Sequence, residues 1–549
     1  MAALLSHPWG LRGLGLPRAV GGEPWREALV QMPLRPPSYL EQAFHREMES
    51  LGKAGDAGRI LALYRKGCGH FQASAADLDK CLNALVETEF RGSELTSKEL
   101  HWLLDEVERH VGSTDDAHDI GRHLACFAWG VVRLSMLRGL PEDVLAKSVV
   151  LLTSIEAKAS PYIRQGVFEP RSLSLTAWSC AKANVGSKRF FQDIADAALP
   201  RISVLEPQQL SNLLWSLATV RLRHPLVGEI AGHLESSEGL LARLNEQDLA
   251  SVAWSLATLA AAGQEALLAR LAAEVEARIE EFSMQGLVNV TWAFAVLRQR
   301  APFLQAAMQQ VQSGRRWQEL EPRALSNLVW AVATLKQHSQ TELFFLFLAE
   351  RCILPRSSAF RPQDVSNTLW AFATARVAHA PMFSALSATT VQGVRGFEPQ
   401  GMANVAWACS KMRAGSPALF DALPAEALRR RQLRAWHPQA LVTMGWACVD
   451  AGYRPLELMC ATAEELRSRS KDFNDTDLAT LVTICRPREG WPSGFEETRR
   501  EILALVAGET QRRTLPRTGR LLQGLPGAVC DQDRKPDDRV VCSHDDVVQ

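Results

Sequence analysis

The sequence predicts an all-α fold, an α-solenoid built from stacked two-helix repeats of about 38 residues. Three observations predict it. Tryptophan recurs at Trp129, Trp178, Trp215, Trp254, Trp292, Trp330, Trp370, Trp407 and Trp446, and after the first, longer gap the steps run from 37 to 40 residues. Eight of these tryptophans close the same phrase: EPRSLSLTAW, EPQQLSNLLW, NEQDLASVAW, SMQGLVNVTW, EPRALSNLVW, RPQDVSNTLW, EPQGMANVAW and HPQALVTMGW. The rest of each unit, such as ALLARLAAEVEARI at 266–279, supplies a second apolar stripe at helical spacing.

Taken in chain order, residues 1–40 form a transit-like or disordered N-terminus. They carry Arg12 and Arg18 before the first acid, Glu23, as organelle transit segments do. Residues 41–128 hold an N-terminal helical cap (41–66) and degenerate repeats, of which ADLDKCLNAL at 76–85 keeps the leucines and lacks the Trp. The helical repeat array runs over 129–485 and ends in a second worn unit, TDLATLVTIC at 476–485. Solenoids need such capping units to cover their apolar ends. That makes about ten hairpins. The C-terminal extension, 486–549, turns rich in Arg, Asp, Gly and Pro from Gly508 and is expected to be largely disordered.

Within the array, Pro170, Pro207, Pro322, Pro362, Pro399 and Pro438 lie eight residues before the Trp. Proline is tolerated in the first helical turn, where its missing N–H has no partner to lose, so these prolines mark helix starts. A second set (Pro225, Pro302, Pro417), about ten residues after the Trp, is expected to close a helix of roughly 15 residues. On a wheel at about 100° per residue, offsets −5, −2, −1, +2 and +3 with the Trp cover an apolar arc of roughly 200°. The Trp column is expected to fill the core between hairpins.

Offsets −7, −3 and +4 fall together on the remaining strip. Offset −7 is Gln or Arg throughout (Arg171, Gln208, Gln247, Gln285, Arg323, Gln363, Gln400, Gln439), and −3 is Asn at Asn212, Asn289, Asn327, Asn367 and Asn404. Offset +4 is Thr in four units. The result is a polar, hydrogen-bonding ribbon along one side of the stack. Its asparagines either form a structural ladder or read base edges. Offset −6 varies (Ser172, Gln209, Asp248, Gly286, Ala324, Asp364, Gly401, Ala440), as a column reading one base per repeat would. Offset +6 is basic at Arg221, Arg298, Lys336, Arg376 and Arg413. Those cations either follow a phosphate backbone or complement the helix C-terminus.

Composition sets limits. There are 61 basic and 61 acidic side chains, so the formal net charge is zero. That excludes coating of nucleic acid by bulk attraction and leaves room for a local basic stripe. The 11 cysteines form no CxxC pair, and Cys180, Cys409 and Cys448 share one repeat position, so they read as reduced core residues. No apolar run is long enough to span a membrane. The chain shows no Walker-type glycine loop, no HExxH and no GxSxG, so no catalytic or metal-binding residue and no cofactor is assigned.

The phrase Pro-Gln-x-Leu-x-Asn-x-x-Trp-Ala/Ser-Leu/Phe-Ala resembles the octotricopeptide repeat, strongly over 170–450 and more weakly over 76–169 and 451–485. It is also similar to the helical repeats of FAST-kinase-like mitochondrial RNA proteins. The resemblance implies a monomeric, non-enzymatic solenoid that binds single-stranded RNA selectively in a mitochondrion or chloroplast. It would act in RNA processing, stabilisation or translation, with RNA-processing or ribosomal proteins as further partners. Many such proteins end in a RAP domain; no such segment is recognised in 486–549. Two alternatives stand beside this expectation: a protein-binding scaffold solenoid, and an RNA endonuclease with a degenerate C-terminal module.

Overall fold

The computed structural model describes residues 37–514, apart from 72–73, 89–94, 114–118, 138, 238, 262, 337–339, 431–432, 487–489 and 493. The transit-like segment over 1–40 therefore lies outside the described residues except for its last four, and so does the tail beyond Thr514. The proline-led phrases become helices. Pro170, Pro207, Pro322, Pro362, Pro399 and Pro438 are each the first residue of an α-helix.

Among the described residues there are 24 α-helices and no strand. Odd-numbered helices are the first members of hairpins and even-numbered ones the second. The first helices are α1 (Pro37–Ala54), α3 (Ala75–Glu87), α5 (Ile120–Ser135), α7 (Pro170–Lys182), α9 (Pro207–Thr219) and α11 (Glu246–Thr258). They continue as α13 (Met284–Val296), α15 (Pro322–Leu335), α17 (Pro362–Ala375), α19 (Pro399–Lys411), α21 (Pro438–Asp450) and α23 (Asp475–Ile484). Between them run α2 (Ala57–Phe71), α4 (Ser97–Ser113), α6 (Glu142–Arg164), α8 (Lys188–Ala198), α10 (Pro225–Ser236) and α12 (Glu265–Ala277). The later second helices are α14 (Leu304–Gln312), α16 (Thr341–Leu348), α18 (Ala380–Gly393), α20 (Pro417–Arg429), α22 (Leu456–Arg469) and α24 (Phe495–Thr514).

The chain divides into two compact units, with the boundary between Leu267 and Leu268. In unit 1 the first helices α1, α3, α5, α7, α9 and α11 pack side by side in that order, and α4, α6, α8 and α10 form a second layer. In unit 2 the same arrangement joins α13, α15, α17, α19, α21 and α23, with α18, α20, α22 and α24 behind them. This is an α-solenoid of stacked helical hairpins. The apolar arc accounts for it. Leu173, Leu210, Leu249, Leu287, Leu325, Val365, Met402 and Leu441, all at offset −5, are each no more than 1% exposed. Cys180, Cys409 and Cys448 are buried and unpaired, and burial pushes their thiols up to about 12, about 11 and about 12.

Three expectations are corrected. The second prolines do not close the first helix, which is only 13 or 14 residues long in the eight Trp-phrase repeats. Pro225 and Pro417 instead open α10 and α20, and Pro302 precedes α14. Among the described residues the hairpins number twelve rather than about ten, because the Trp-poor region before Trp129 builds complete helices, broken at Gly55 by a left-handed φ of 74°. The extension after 485, expected to be largely disordered, carries a helix over Phe495–Thr514. Helix α24 buries Phe495, Ile502 and Val506 against Met459, Leu478 and Leu481, and so closes the last hairpin.

In four hairpins the entry to the first helix is tied to the end of the second by a hydrogen bond that the repeat phrase does not announce. The residue ten before the Trp (Phe168, Phe282 or Leu320) is buried in extended backbone just ahead of the first helix. Its carbonyl accepts a hydrogen bond from an arginine that follows the next second helix. Arg201 reaches Phe168 O at 2.6 Å, Arg316 reaches Phe282 O at 2.8 Å and Arg356 reaches Leu320 O at 2.8 Å. Arg513 does the same for Phe473 O at 2.6 Å. A buried carbonyl that no helix can satisfy is thereby paired with a charged donor.

Candidate nucleic-acid interface

The polar ribbon exists as a surface strip along the first helices. Gln208 and Gln247 are exposed, and Gln285, Arg323, Gln363 and Gln400 are half-buried. Asn212, Asn289 and Asn327 are half-buried, while Asn367 and Asn404 are only 8% exposed. The two columns touch within one helix, because residues four apart share a face. Gln285 Nε2 donates to Asn289 Oδ1 at 2.8 Å, Gln363 Nε2 to Asn367 Oδ1 at 3.3 Å and Gln400 Nε2 to Asn404 Oδ1 at 3.0 Å. Each pair fixes its amides, leaving the Gln carbonyl and the Asn NH2 as the groups with spare capacity. Asn289, Asn367 and Asn404 are thus held by a glutamine of their own helix.

The tryptophans stand closer to this strip than expected. Trp254, Trp292 and Trp330 are buried, but Trp129, Trp178, Trp215, Trp370, Trp407 and Trp446 are half-buried. Neighbouring rings face one another across adjacent first helices. Centroids lie 6.3 Å apart for Trp178–Trp215, 6.5 Å for Trp215–Trp254 and 6.3 Å for Trp330–Trp370, tilted by 32° to 38°. Lys182, at offset +4, lies 5.8 Å over the Trp215 ring, and burial lowers its ammonium pKa, with Arg133 adding to the effect. Thr219 and Thr334 turn back, donating to the carbonyls of Trp215 and Trp330 at 2.8 Å. The indole Nε1 of Trp330 is buried and has no acceptor.

The variable −6 column departs from its expected place. It is buried, not exposed: Ser172, Asp248, Ala324, Asp364 and Ala440 are 6% exposed or less, and Gln209 is half-buried. The position is the third residue of the helix, which looks toward the neighbouring first helix and folds back on the cap. Gln209 Oε1 accepts from Glu206 N at 3.2 Å. The Asp248 N–H donates to Asn245 Oδ1 at 2.7 Å, and Ser211 Oγ donates to Asp248 O at 3.4 Å. Asp364 accepts from Arg361 N at 3.1 Å and from Ser326 Oγ at 3.4 Å. These residues cap and cement helices.

The basic +6 column has a conformational signature that spacing alone does not reveal. All seven non-glycine residues with positive φ among the described residues sit at this offset: Asn184, Arg221, Ala260, Arg298, Lys336, Arg376 and Arg413, at 49° to 58°. The eighth repeat has Gly452, at 93°. Each ends its first helix in a left-handed turn. In most repeats the next residue's N–H reaches back five positions, as in Gln299 N to Phe294 O and Val377 N to Phe372 O, both at 3.0 Å. Arg221, Arg298, Lys336, Arg376 and Arg413 are all exposed.

No protein-family model matches the chain, and no curated protein matches it. Among solved structures it is similar to a chain of a homology model of the full-length AP-3 complex in an intermediate open conformation. The identity is 11%, 88% of each chain is covered, and the TM-score is 0.22. A likeness at that score carries no argument about function. No described helix is long and apolar enough to cross a membrane.

Proposed function

We propose that the first-helix face binds single-stranded RNA, with the amide ribbon selecting among bases. The observation that carries this reading is the set of pre-oriented Gln–Asn pairs at 285/289, 363/367 and 400/404, the last two beside the half-buried rings of Trp370 and Trp407. A fixed carbonyl and a fixed NH2 match the donor–acceptor edges of an unpaired base, and an aromatic edge offers it an apolar flank. The order is imposed by the helix before any ligand arrives, which lowers the cost of binding. The repeat phrase resembles that of organellar RNA solenoids, and on that basis the chain acts in RNA processing, stabilisation or translation in a mitochondrion or chloroplast. Binding without chemistry suffices for such roles, by masking a transcript end or opening a hairpin.

One observation favours a second reading. The ribbon is built mostly from amides and hydroxyls and the chain is neutral, which suits an extended peptide as well as RNA. Selection of the full chain against a random single-stranded RNA pool at low and high salt separates the two. Enrichment of one motif, weakened by salt, supports RNA reading. No retention at either salt removes it and leaves the peptide-binding scaffold.

A further inference from the structure

The left-handed column at offset +6 is not the same in the two units. In unit 1 it runs Asn184, Arg221, Ala260; in unit 2 it runs Arg298, Lys336, Arg376, Arg413 and then Gly452. Four consecutive repeats of unit 2 thus place a long cationic side chain where the backbone favours glycine or asparagine. The fold does not need a cation there, because Asn184, Ala260 and Gly452 make the same turn without one. Nor do the four serve their neighbours. Among the described residues, none of these four side chains makes a hydrogen bond or an ion pair, and all four are exposed. The helix-terminal carbonyls that a cation could have satisfied are already met by backbone N–H groups, as in Ala414 N to Cys409 O at 2.9 Å.

The turns they sit in carry no acid of their own, and Glu350 and Asp450, which reach this edge, are bonded to His379 Nε2 and Ser410 Oγ, each at 2.7 Å, and not to the four cations. The segments 297–303, 335–341, 375–381 and 412–418 contain Arg298, Arg300, Lys336, Arg376 and Arg413 and no Asp or Glu. At the opposite ends of the same helices the caps include Glu321 and Glu398. Because α13, α15, α17 and α19 pack side by side, their C-terminal turns follow one another at helix-packing intervals of roughly 10 Å. A row of unpartnered cations in turns that contain no Asp or Glu, kept against backbone preference, fits a linear polyanion.

We propose that this edge of unit 2 is a phosphate rail: Arg298, Lys336, Arg376 and Arg413 hold the backbone of the single-stranded RNA whose bases turn to the ribbon, and unit 1 has no counterpart to it. This rests on the RNA reading above. The test compares the full-length chain with a variant carrying Arg298→Gly, Lys336→Gly, Arg376→Gly and Arg413→Gly, and with Arg221→Gly as a unit 1 control. A second quadruple variant with Asn at the four positions keeps the turn and a side chain. Binding of a mixed-sequence single-stranded RNA is followed by fluorescence anisotropy across a salt series. Both quadruple variants should melt no earlier than wild type and bind roughly tenfold or more weakly. The slope of log affinity against log salt should shrink by about 0.7 for each phosphate that the variant no longer neutralises. Arg221→Gly should leave that slope unchanged.

Wild-type affinity and slope in folded quadruple variants would overturn the rail and leave the RNA reading standing. A wild-type chain that binds no RNA at low salt overturns both. A polyglutamate of matched charge that displaces RNA from the wild-type chain at equal concentration assigns the edge to acidic peptides and overturns the nucleic-acid assignment.

Discussion

At the level of single residues, small groups do structural tasks that resemble functional ones. Asp364 is 3% exposed, and its carboxylate accepts from the Arg361 N–H and the Ser326 hydroxyl, which belongs to the preceding first helix. Asp364→Ala should cost about 1–2 kcal/mol in chemical denaturation, the value of a missing cap and an unsatisfied buried donor. Its RNA affinity should stay unchanged under conditions where the variant is folded. Glu426 is a second case. Hydrogen bonds from Arg429, and then from Arg430, hold its carboxyl down to about 2. A lowered folded pKa means that the pair's stabilisation is complete above the ordinary carboxylate range and fades as pH falls toward 2. Melting temperature measured against pH should therefore lose part of its acid limb in Glu426→Gln. An unchanged limb would show that the two arginines do not stabilise the fold through this charge.

Elements are set by how each first helix starts, ends and meets the next. Proline or a short polar residue opens it, and the left-handed turn at +6 closes it, so its length barely varies between repeats. Between helices the tryptophans carry much of the packing. Trp330, 8% exposed and facing Trp370, should cost about 3–5 kcal/mol on truncation to Ala. Half-buried Trp178 should cost clearly less, and a reversed order in urea titrations would contradict this packing. The first Trp unit shows the same logic in reverse. Gly130 stands where other repeats have Ala or Ser, and a Cβ there would meet Leu82 Cβ at 2.9 Å. Gly130→Ala should destabilise the protein by about 1–3 kcal/mol, since the atom in the way is close to the backbone of α3 and has little freedom to move.

Across the whole molecule, zero net charge conceals a local cationic row. In unit 2 unpartnered cations stand at the ends of α13, α15, α17 and α19, while the N-caps of its first helices are mixed, with Glu321 and Glu398 beside Ser283, Arg361, His437 and Asn474. Stability is distributed as well. Packing in a stacked array is local, so opening need not be global. Hydrogen exchange of the full chain should resolve at least two opening free energies, one shared by α7, α9 and α11 and another by α15, α17 and α19. A single value for all six helices would show that the two units unfold as one.

Whatever follows from periodicity and local chemistry can be read from the residues alone. The repeat, the helix starts at Pro170 and its equivalents, the buried cysteines and the face that carries the Gln and Asn columns are all legible, because each depends on neighbours within one or two turns. Packing between distant segments settles the rest. The −6 column reads as an exposed, variable reader, but Asp248 and Asp364 are buried because the adjacent first helix covers that side. Arg201, Arg316 and Arg356 lie outside the repeat phrase and carry no signal in it, yet each satisfies a carbonyl more than thirty residues away. The extension after 485 reads as tail, and α24 exists because α22 and α23 leave an apolar face for it to cover. The left-handed turn under Arg298, Lys336, Arg376 and Arg413 has no signal in the residue types themselves, since cations are a poor marker of positive φ. It arises only because the helix has to end, and the chain reverse, at a point that packing between hairpins dictates.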